Sequence, residues 1–585
     1  MAGDLLTFTS GTEEDFVVAE QVSAHYVDWA NQFSSHRERM AEVQEYLQAT
    51  DTSVTSNDSN GWNNTTHIPK LTQIRDNLYA NYQTGLFPNE QWMRWEHDGI
   101  NPDDAQKRAV IEGYMANKTR FPAFREEVNQ LLLDYIDDGN AYAYSEYTRL
   151  TRVDEVTGEE ITVFEGPVPR RIDPNDIVYN PIASSWEETP TIVVSNMTEG
   201  DLLKWAERQN DMELLAKVHE VIERRNKVRS GALTSEQTKD MKKLELAGLG
   251  NMYSYLTGNL VEVLTFYGDM YDPIKRAITY NQKIIVADRT ELLMRKDNPS
   301  WVGKPILHSV WRRRPGTLIG MSVMENLLGM QYRINHLENM KADALDLNVY
   351  PPFKIYGNVP EFEWGPNCQI HIPDPDAGDV KRESPDLSAM SLGIEINQIM
   401  DWMEEFAGAP KESMGFRTPG EKTAFEVNQL MTSAGRVFQE KITNFEVSLL
   451  EPLLNLMLSE ARNNLVGKDL ALIFNDVTQA SKFVDVSATD LKTSGKLRPI
   501  GARHFSEQRQ LIQNLVGIMN SPLGPKLLPH MSGKDIYVAV ENALGIEKWR
   551  LFGENNGIAE MLEQQQFARE GQAINNSVAG TELGD

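Results

Sequence analysis

Between Gly320 and Phe406, two helical runs enclose thirty-nine residues, 348 to 386, that carry seven prolines. The first run, Gly320 to Leu347, places Met324, Leu327, Leu328, Ile334, Leu337 and Leu345 on one stripe and would extend about 42 Å as a helix. The second, Leu387 to Phe406, repeats the pattern with Met390, Ile394, Ile399, Met403 and Phe406. Proline lacks an amide donor, ends helices and is confined to strand edges. The intervening segment is therefore predicted to be compact and non-helical, with PPFKIYG and CQIHIP as short strands. A helix with one apolar stripe has to bury it against a neighbour, so the arrangement predicts a helix pair bearing a non-helical tip.

The stretch that follows, AGAPKESMGFRTPGEKTAFEV from Ala407 to Val427, is longer than a chain reversal needs. Its Lys411, Arg417 and Lys422 stand among Glu412 and Glu421, which suits either a solvated mixed-charge loop or a loop that projects toward an anion. A helix is predicted from Glu421 to Asn464, with a kink at Pro452. Arg312, Arg313 and Arg314 form the densest basic run. They suit phosphate, or an acidic partner within the chain or across a subunit boundary, and the surplus of acid favours the carboxylate.

The chain has 585 residues, too many for one core, so several sub-domains are expected. Residues 1 to 60 hold eleven acidic and two basic side chains and a helical run from Asp15 to Gln48. The polar stretch that follows, residues 49 to 66, is predicted to be a surface loop. Helices are predicted over Lys70 to Thr84 and Asp103 to Lys118, and from Phe124 to Tyr135 until Asp138-Gly139-Asn140 stops the last. Strands follow, with turns at Gly158, Gly166 and Pro174. EETPTIVVSNMT forms another strand, and a helix starts near Thr198. Residues 207 to 245 are highly charged and helical or mobile. VEVLTFYGDMYD and AITYNQKIIVAD pair around Pro273. Residues 1 to 318 thus form an α+β region with an antiparallel sheet. DLALIFNDV, KFVDVSAT and KLRPIGA are expected to return to that sheet, with three helices and a disordered tail beyond Arg503.

The formal charge of −28 and pI near 4.9 disfavour a sequence-reading DNA-binding protein. They do not disfavour a surface along which DNA slides. The single Cys368 excludes an intramolecular disulfide framework. The absence of an eighteen-residue apolar run predicts no transmembrane helix, and the N-terminal residues lack signal-peptide features, so synthesis in the cytosol is expected. Four Gly-Lys pairs lack the first glycine of a phosphate loop, Gly248 and Gly250 lack the third of a dinucleotide fingerprint, and GMSVM around Ser322 fails as a nucleophile elbow. DPDAGD at 374 to 379 opens like a calcium loop but has Pro385 at the twelfth position. No catalytic, cofactor-binding or metal-binding residue can be assigned, and an enzyme has no anchor residue.

The order of parts resembles the portal protein, or head-to-tail connector, of tailed double-stranded DNA bacteriophages, and of a short-tailed one in particular. The resemblance lies in GMSVMENLLGMQYRINHLENMKADALDLNVYPPF and in FAGAPKESMGFRTPGEKTAFEVNQLMTSAGRVFQEKITNFEVSLLEPLLNLMLSEA, within an order of elements running from about residue 60 to about residue 550. It implies an acidic N-terminal extension over 1–60, an α+β wing over 61–319, and stem helices over 320–347 and 387–406. It also implies a clip over 348–386 and a tunnel loop over 407–424. A long helix and returning wing strands would occupy 425–502, a helical crown 503–575 and a tail 576–585.

By the same resemblance, Lys411, Arg417 and Lys422 would face the DNA channel. Phe353, Lys354, Tyr356, Phe362 and Trp364 would face terminase and then the tail adaptor, and Arg312 to Arg314 would pair between subunits. The implied assembly is a homo-oligomeric ring of about twelve copies in the virion. It would contact double-stranded DNA, terminase, adaptor, major capsid and scaffold proteins, with no membrane and no cofactor. Another head–tail ring component, an adaptor or tail-tube protein, and an acidic cytosolic enzyme are the alternatives.

Overall fold

The computed structural model describes residues 13–48, 64–87, 92–97, 104–153, 160–209, 211–230, 258–272, 276–297, 304–349, 353–357, 359, 378–382, 391–408, 439–475 and 480–500. The chain divides into two compact units, Met1–Thr84 with Trp95–Arg498, and Gly85–Arg94 with Pro499–Asp585. Most of the described residues belong to the first. None of the described helices is long and apolar enough to cross a membrane.

Helices α1 (Glu13–Gln48) and α2 (Lys70–Leu86) precede strand β1 (Met93–His97), α3 (Asp104–Thr119) and α4 (Pro122–Asp137). Strands β2 (Asn140–Val153), β3 (Glu160–Ile172), β4 (Ile177–Tyr179) and β5 (Thr191–Thr198) lead to α5 (Glu199–Arg208) and α6 (Met212–Arg229). Then come β6 (Leu260–Asp272), β7 (Ala277–Ala287), β8 (Glu291–Asp297) and β9 (Leu307–Val310). The next block is α7 (Val323–Val349), β10 (Phe353–Gly357), β11 (Gly378–Arg382) and α8 (Leu392–Ala407). A helical run over 439–445 continues through a π-turn, Glu446–Leu450, into α9 (Glu451–Asn464), which is followed by β12 (Lys468–Asn475), β13 (Ala480–Ser487) and β14 (Gly495–Pro499).

The fold is α+β, and its main core is a five-stranded antiparallel sheet in the order β4-β5-β6-β7-β8. Side chains alternate across a sheet with period two. Leu264, Phe266, Ile284 and Val286 therefore share one face, where they meet Val18, Ala19, Val22 and Trp29 of α1. Val261, Val263, Ile285 and Ala287 share the other, against Leu202 and Ala206 of α5 and Leu214, Val218 and Val221 of α6. Over these residues both faces are covered, so this part of each strand reads as a nearly continuous apolar run. Thr198 caps α5 by accepting from the Asp201 amide at 3.2 Å, and Asp211 caps α6 by accepting from the amides of Glu213 and Leu214.

A second antiparallel sheet, β3-β2-β9, packs on α4 and on the π-turn and α9. Tyr135 of α4 donates to the Lys441 carbonyl at 3.0 Å and meets the Phe445 ring edge-on. The stop after α4 has a tertiary reason as well as a local one. Gly139 has φ +81°, and a Cβ there would sit 2.5 Å from the backbone of Met321 and Ser322.

Several expectations are corrected. Within residues 1–60, Glu13–Gln48 form α1, which is one wall of the main core. Gly166 is not a turn but lies inside β3, opposite Thr148, where the Lys118 stem passes 2.9 Å from its would-be Cβ. The turn at Pro174 is present as a short 3-10 turn, Pro174–Asp176. Strand β8 was not anticipated. The turn before it, Asp288-Arg289, has positive φ at both residues without glycine.

The helical run expected from Gly320 starts at Val323, because Ser322 is the cap: its hydroxyl accepts from the Glu325 amide at 2.8 Å. Pro452 is accommodated by the π-turn just before it, where the Glu451 amide bonds back to the Glu446 carbonyl. The wider turn replaces a bond that the proline cannot make. The late strands do not rejoin the main sheet: β12 and β13 form their own hairpin, and β14 pairs with β1. The expected turn at Gly158, the Cys368 strand, residues 409–438 and the helices beyond Arg503 lie outside the described residues.

Candidate assembly surface

The block from α7 to α8 is a helix, a hairpin and a helix. α7 and α8 pack on each other, burying Met324, Leu327, Leu328, Ile334 and Leu337 of the first and Ile396, Ile399, Met403 and Ala407 of the second. Phe353–Gly357 of the PPFKIYG segment forms a strand as expected, and β10 pairs antiparallel with β11 from Phe353↔Arg382 to Gly357↔Gly378. Arg382 donates to the Asn348 carbonyl at 2.9 Å, tying the hairpin to a free carbonyl of the last turn of α7.

The single stripe expected on α8 is corrected. Ile394, Trp402 and Phe406 are 75%, 45% and 52% exposed, and they fall on one side at helical spacing. Leu345 and Leu347 at the end of α7, and Ile355 and Tyr356 on β10, are exposed too. A second apolar face thus stands in water beside the buried one. Interspersed with it are the exposed carboxylates Glu395, Asp401 and Glu405. On the hairpin, Lys354 and Lys381 lie directly opposite each other, with Lys381 held 3.6 Å from Asp379 and 5.8 Å from the Tyr356 ring centre.

On its inner side α7 carries polar residues that the apolar pattern hid. Gln331, Asn335, Asn339 and Asp343 recur every four residues, and the first three are buried. They grip residues 64–71, a strap that enters α2. Asp343 accepts from the Asn64 amide at 3.1 Å, Asn339 from Thr66 at 2.8 Å, Asn335 from Ile68 at 3.3 Å, and Gln331 from Leu71 at 3.1 Å. Gln331 returns a bond to the Ile68 carbonyl at 2.6 Å. Four helical residues rise about 6 Å, close to two residues of extended chain at about 6.6 Å. The side chains of a helix can therefore satisfy the alternate amides of Asn64, Thr66 and Ile68, and the fourth rung, Leu71, already lies in α2. Lys70 completes the attachment through a buried ion pair with Glu404 of α8. Sequence reading missed this ladder, although its signal was present as the four-residue polar spacing.

Of the anticipated site residues, Phe353, Lys354 and Tyr356 are brought together on β10. Phe362, Trp364, Lys411, Arg417 and Lys422 lie outside the described residues. Arg314 pairs within its own chain, donating to both oxygens of Glu325 at 2.6 and 2.7 Å, beside Arg39. Its acidic partner among the described residues is thus Glu325 of the same chain. Arg312 and Arg313 are exposed, the former with its guanidinium 5.4 Å from the Trp311 ring centre. Among the described residues no group of three or more His, Cys, Asp or Glu could hold a metal ion. Compared with known protein families and with characterised proteins, the chain matches none.

Proposed function

We propose that this chain is the repeating subunit of a portal ring, the head-to-tail connector set at one capsid vertex of a tailed double-stranded DNA phage. The observation that carries the reading is the helix–hairpin–helix block, whose outer face keeps Ile394, Trp402 and Phe406 in water when the chain stands alone. Aromatic side chains clustered on an exposed face suit burial by a neighbouring copy. In a ring, α7 and α8 would be the stem, and β10 with β11 the clip offered to terminase and later to the tail adaptor. Residues 407–424 would be the tunnel loop, with Lys411, Arg417 and Lys422 making sequence-independent phosphate contacts. The charge of −28 per subunit would keep DNA off the walls and favour sliding. Scaffold and major capsid proteins would be its partners in assembly.

Native mass spectrometry of the 66.3 kDa chain tests this directly. A closed ring of about twelve copies is expected. A monomer or dimer that persists after scaffold protein is added would overturn the reading.

A further inference from the structure

We propose that the strap, residues 64–71, is a pH-sensitive latch: protonation of His67 releases it from α7. This inference concerns the described chain alone and does not depend on ring formation.

The logic is set by the orientation of two amides. Gln331 donates through Nε2 to the Ile68 carbonyl at 2.6 Å and accepts through Oε1 from the Leu71 amide at 3.1 Å. The same Nε2 donates to Asn335 Oδ1 at 2.9 Å, and Oδ1 also accepts from the Ile68 amide at 3.3 Å. Asn335 Oδ1 therefore has to face the strap, and its Nδ2 has to face His67 Nδ1, which lies 3.0 Å away. An amide NH2 only donates, so Nδ1 has to present a lone pair. His67 is thereby held neutral, with its proton on Nε2.

A second proton would set N–H against N–H. Asn335 cannot relieve this by turning over, since its Nδ2 would then face two donors, Ile68 N and Gln331 Nε2. Release of the middle rung is the remaining response. Burial already lowers the His67 pKa from 6.5, and no neighbouring charge adds to that shift. The groups around the ring agree. On α1 the neighbour is Tyr46, with ring centres 6.4 Å apart. Tyr46 meets Tyr332 of α7, which bonds Glu42. Lys70 is paired with Glu404 of α8, and Asp343 and Asp346 are engaged with Asn64.

The test is hydrogen exchange of the full chain at about pH 7.5 and about pH 5.5, corrected for intrinsic exchange. The H67N variant runs alongside, since an Asn carbonyl places an acceptor where Nδ1 sits without titrating. In the native chain the amides of Thr66, Ile68 and Leu71 should exchange faster at the lower pH, by up to about tenfold per pH unit for one proton. Exchange in β6 should stay unchanged. H67N should hold the strap equally at both values. Equal protection of the native strap at both values, or equal acceleration in H67N, would overturn the proposal. Should H67N fail to fold, exchange at His67 Cε1 in the native chain reports its pKa. A value below 6.5 that coincides with the midpoint of strap release supports the latch, and a value at or above it rejects the latch.

Discussion

The five-stranded sheet and the α7–α8 pair use similar residues to opposite ends. In the sheet, both faces of Val261–Phe266 in β6 and Ile284–Ala287 in β7 are covered, one by α1 and one by α5 and α6. In the helix pair only one side of α8 is covered, and the other leaves two aromatic residues and an isoleucine in water. The difference teaches which part of the chain is complete in itself. The central part of the sheet needs nothing more, although Tyr271, Ile278 and Tyr280 are exposed where β6 and β7 run beyond it, whereas on α8 the exposed apolar residues flank the buried stripe along the helix. The same contrast runs through the charges. Arg225 is fully buried and donates to Asp288 at 2.7 Å and to the carbonyls of Gly258 and Leu260. Arg333 meets Glu395 at 3.0 Å on the open surface.

The largest effect that would sharpen the contrast is expected from Phe266→Ala. Truncating this buried ring should destabilise the fold by about 3–5 kcal/mol in chemical denaturation. Arg225→Met should come close, at about 3–5 kcal/mol, because it strands Asp288 without its main partner. The matching change on the helix pair, Arg333→Met, should stay under about 1 kcal/mol. Gln331→Leu should fall between them. It orphans the Leu71 amide, at about 1–3 kcal/mol for a group left buried, while the Ile68 carbonyl keeps its bond from the Lys70 amide at 2.7 Å; hydrogen exchange should place the loss at the strap. If all four changes proved equal, the division into a complete core and an open surface would fail.

A smaller effect is expected from pH. Lys304 lies 3.4 Å from the Trp186 ring centre and donates to the carbonyls of Trp186 and Thr189. Burial nonetheless lowers its pKa from 10.5 to about 7. The unfolded chain then binds more protons than the folded one between those two values, so Lys304 makes stability rise with pH across that window. Lys304→Met should flatten that part of the curve of denaturation midpoint against pH. The smallest effect on stability is expected from Trp402→Ala, within about 0.5 kcal/mol for the isolated chain. Its consequence should show in subunit association, read by native mass spectrometry. A large loss of monomer stability would mean that Trp402 belongs to the core after all.

Much of the fold was legible before any coordinates. Helical spacing located α1, α2, α3, α4 and α7, and period-two runs located β5, β6 and β7. These signals are local, so each stretch carries its own. The turn before β8 was not legible, because Asp288 is followed by Arg289 where a two-residue turn usually has glycine. Their positive φ values are held by contacts from elsewhere: Asp288 by Arg225, and Arg289 by Glu262 at 2.6 Å. The candidate surface was half legible. The helix–proline–helix order was plain, but Ile394 and Phe406 were expected inside and are outside.

By itself the sequence determined where helices and strands form, and that a non-helical tip separates two helices, because periodicity and proline act within a few residues. Only the tertiary structure decided which apolar stripe is buried, that the acidic N-terminal helix α1 walls the core, and that residues 64–71 run along α7. Those outcomes rest on partners such as Gln331 and Ile68, 263 residues apart. Their pairing depends on where two distant backbones meet, which no local pattern encodes.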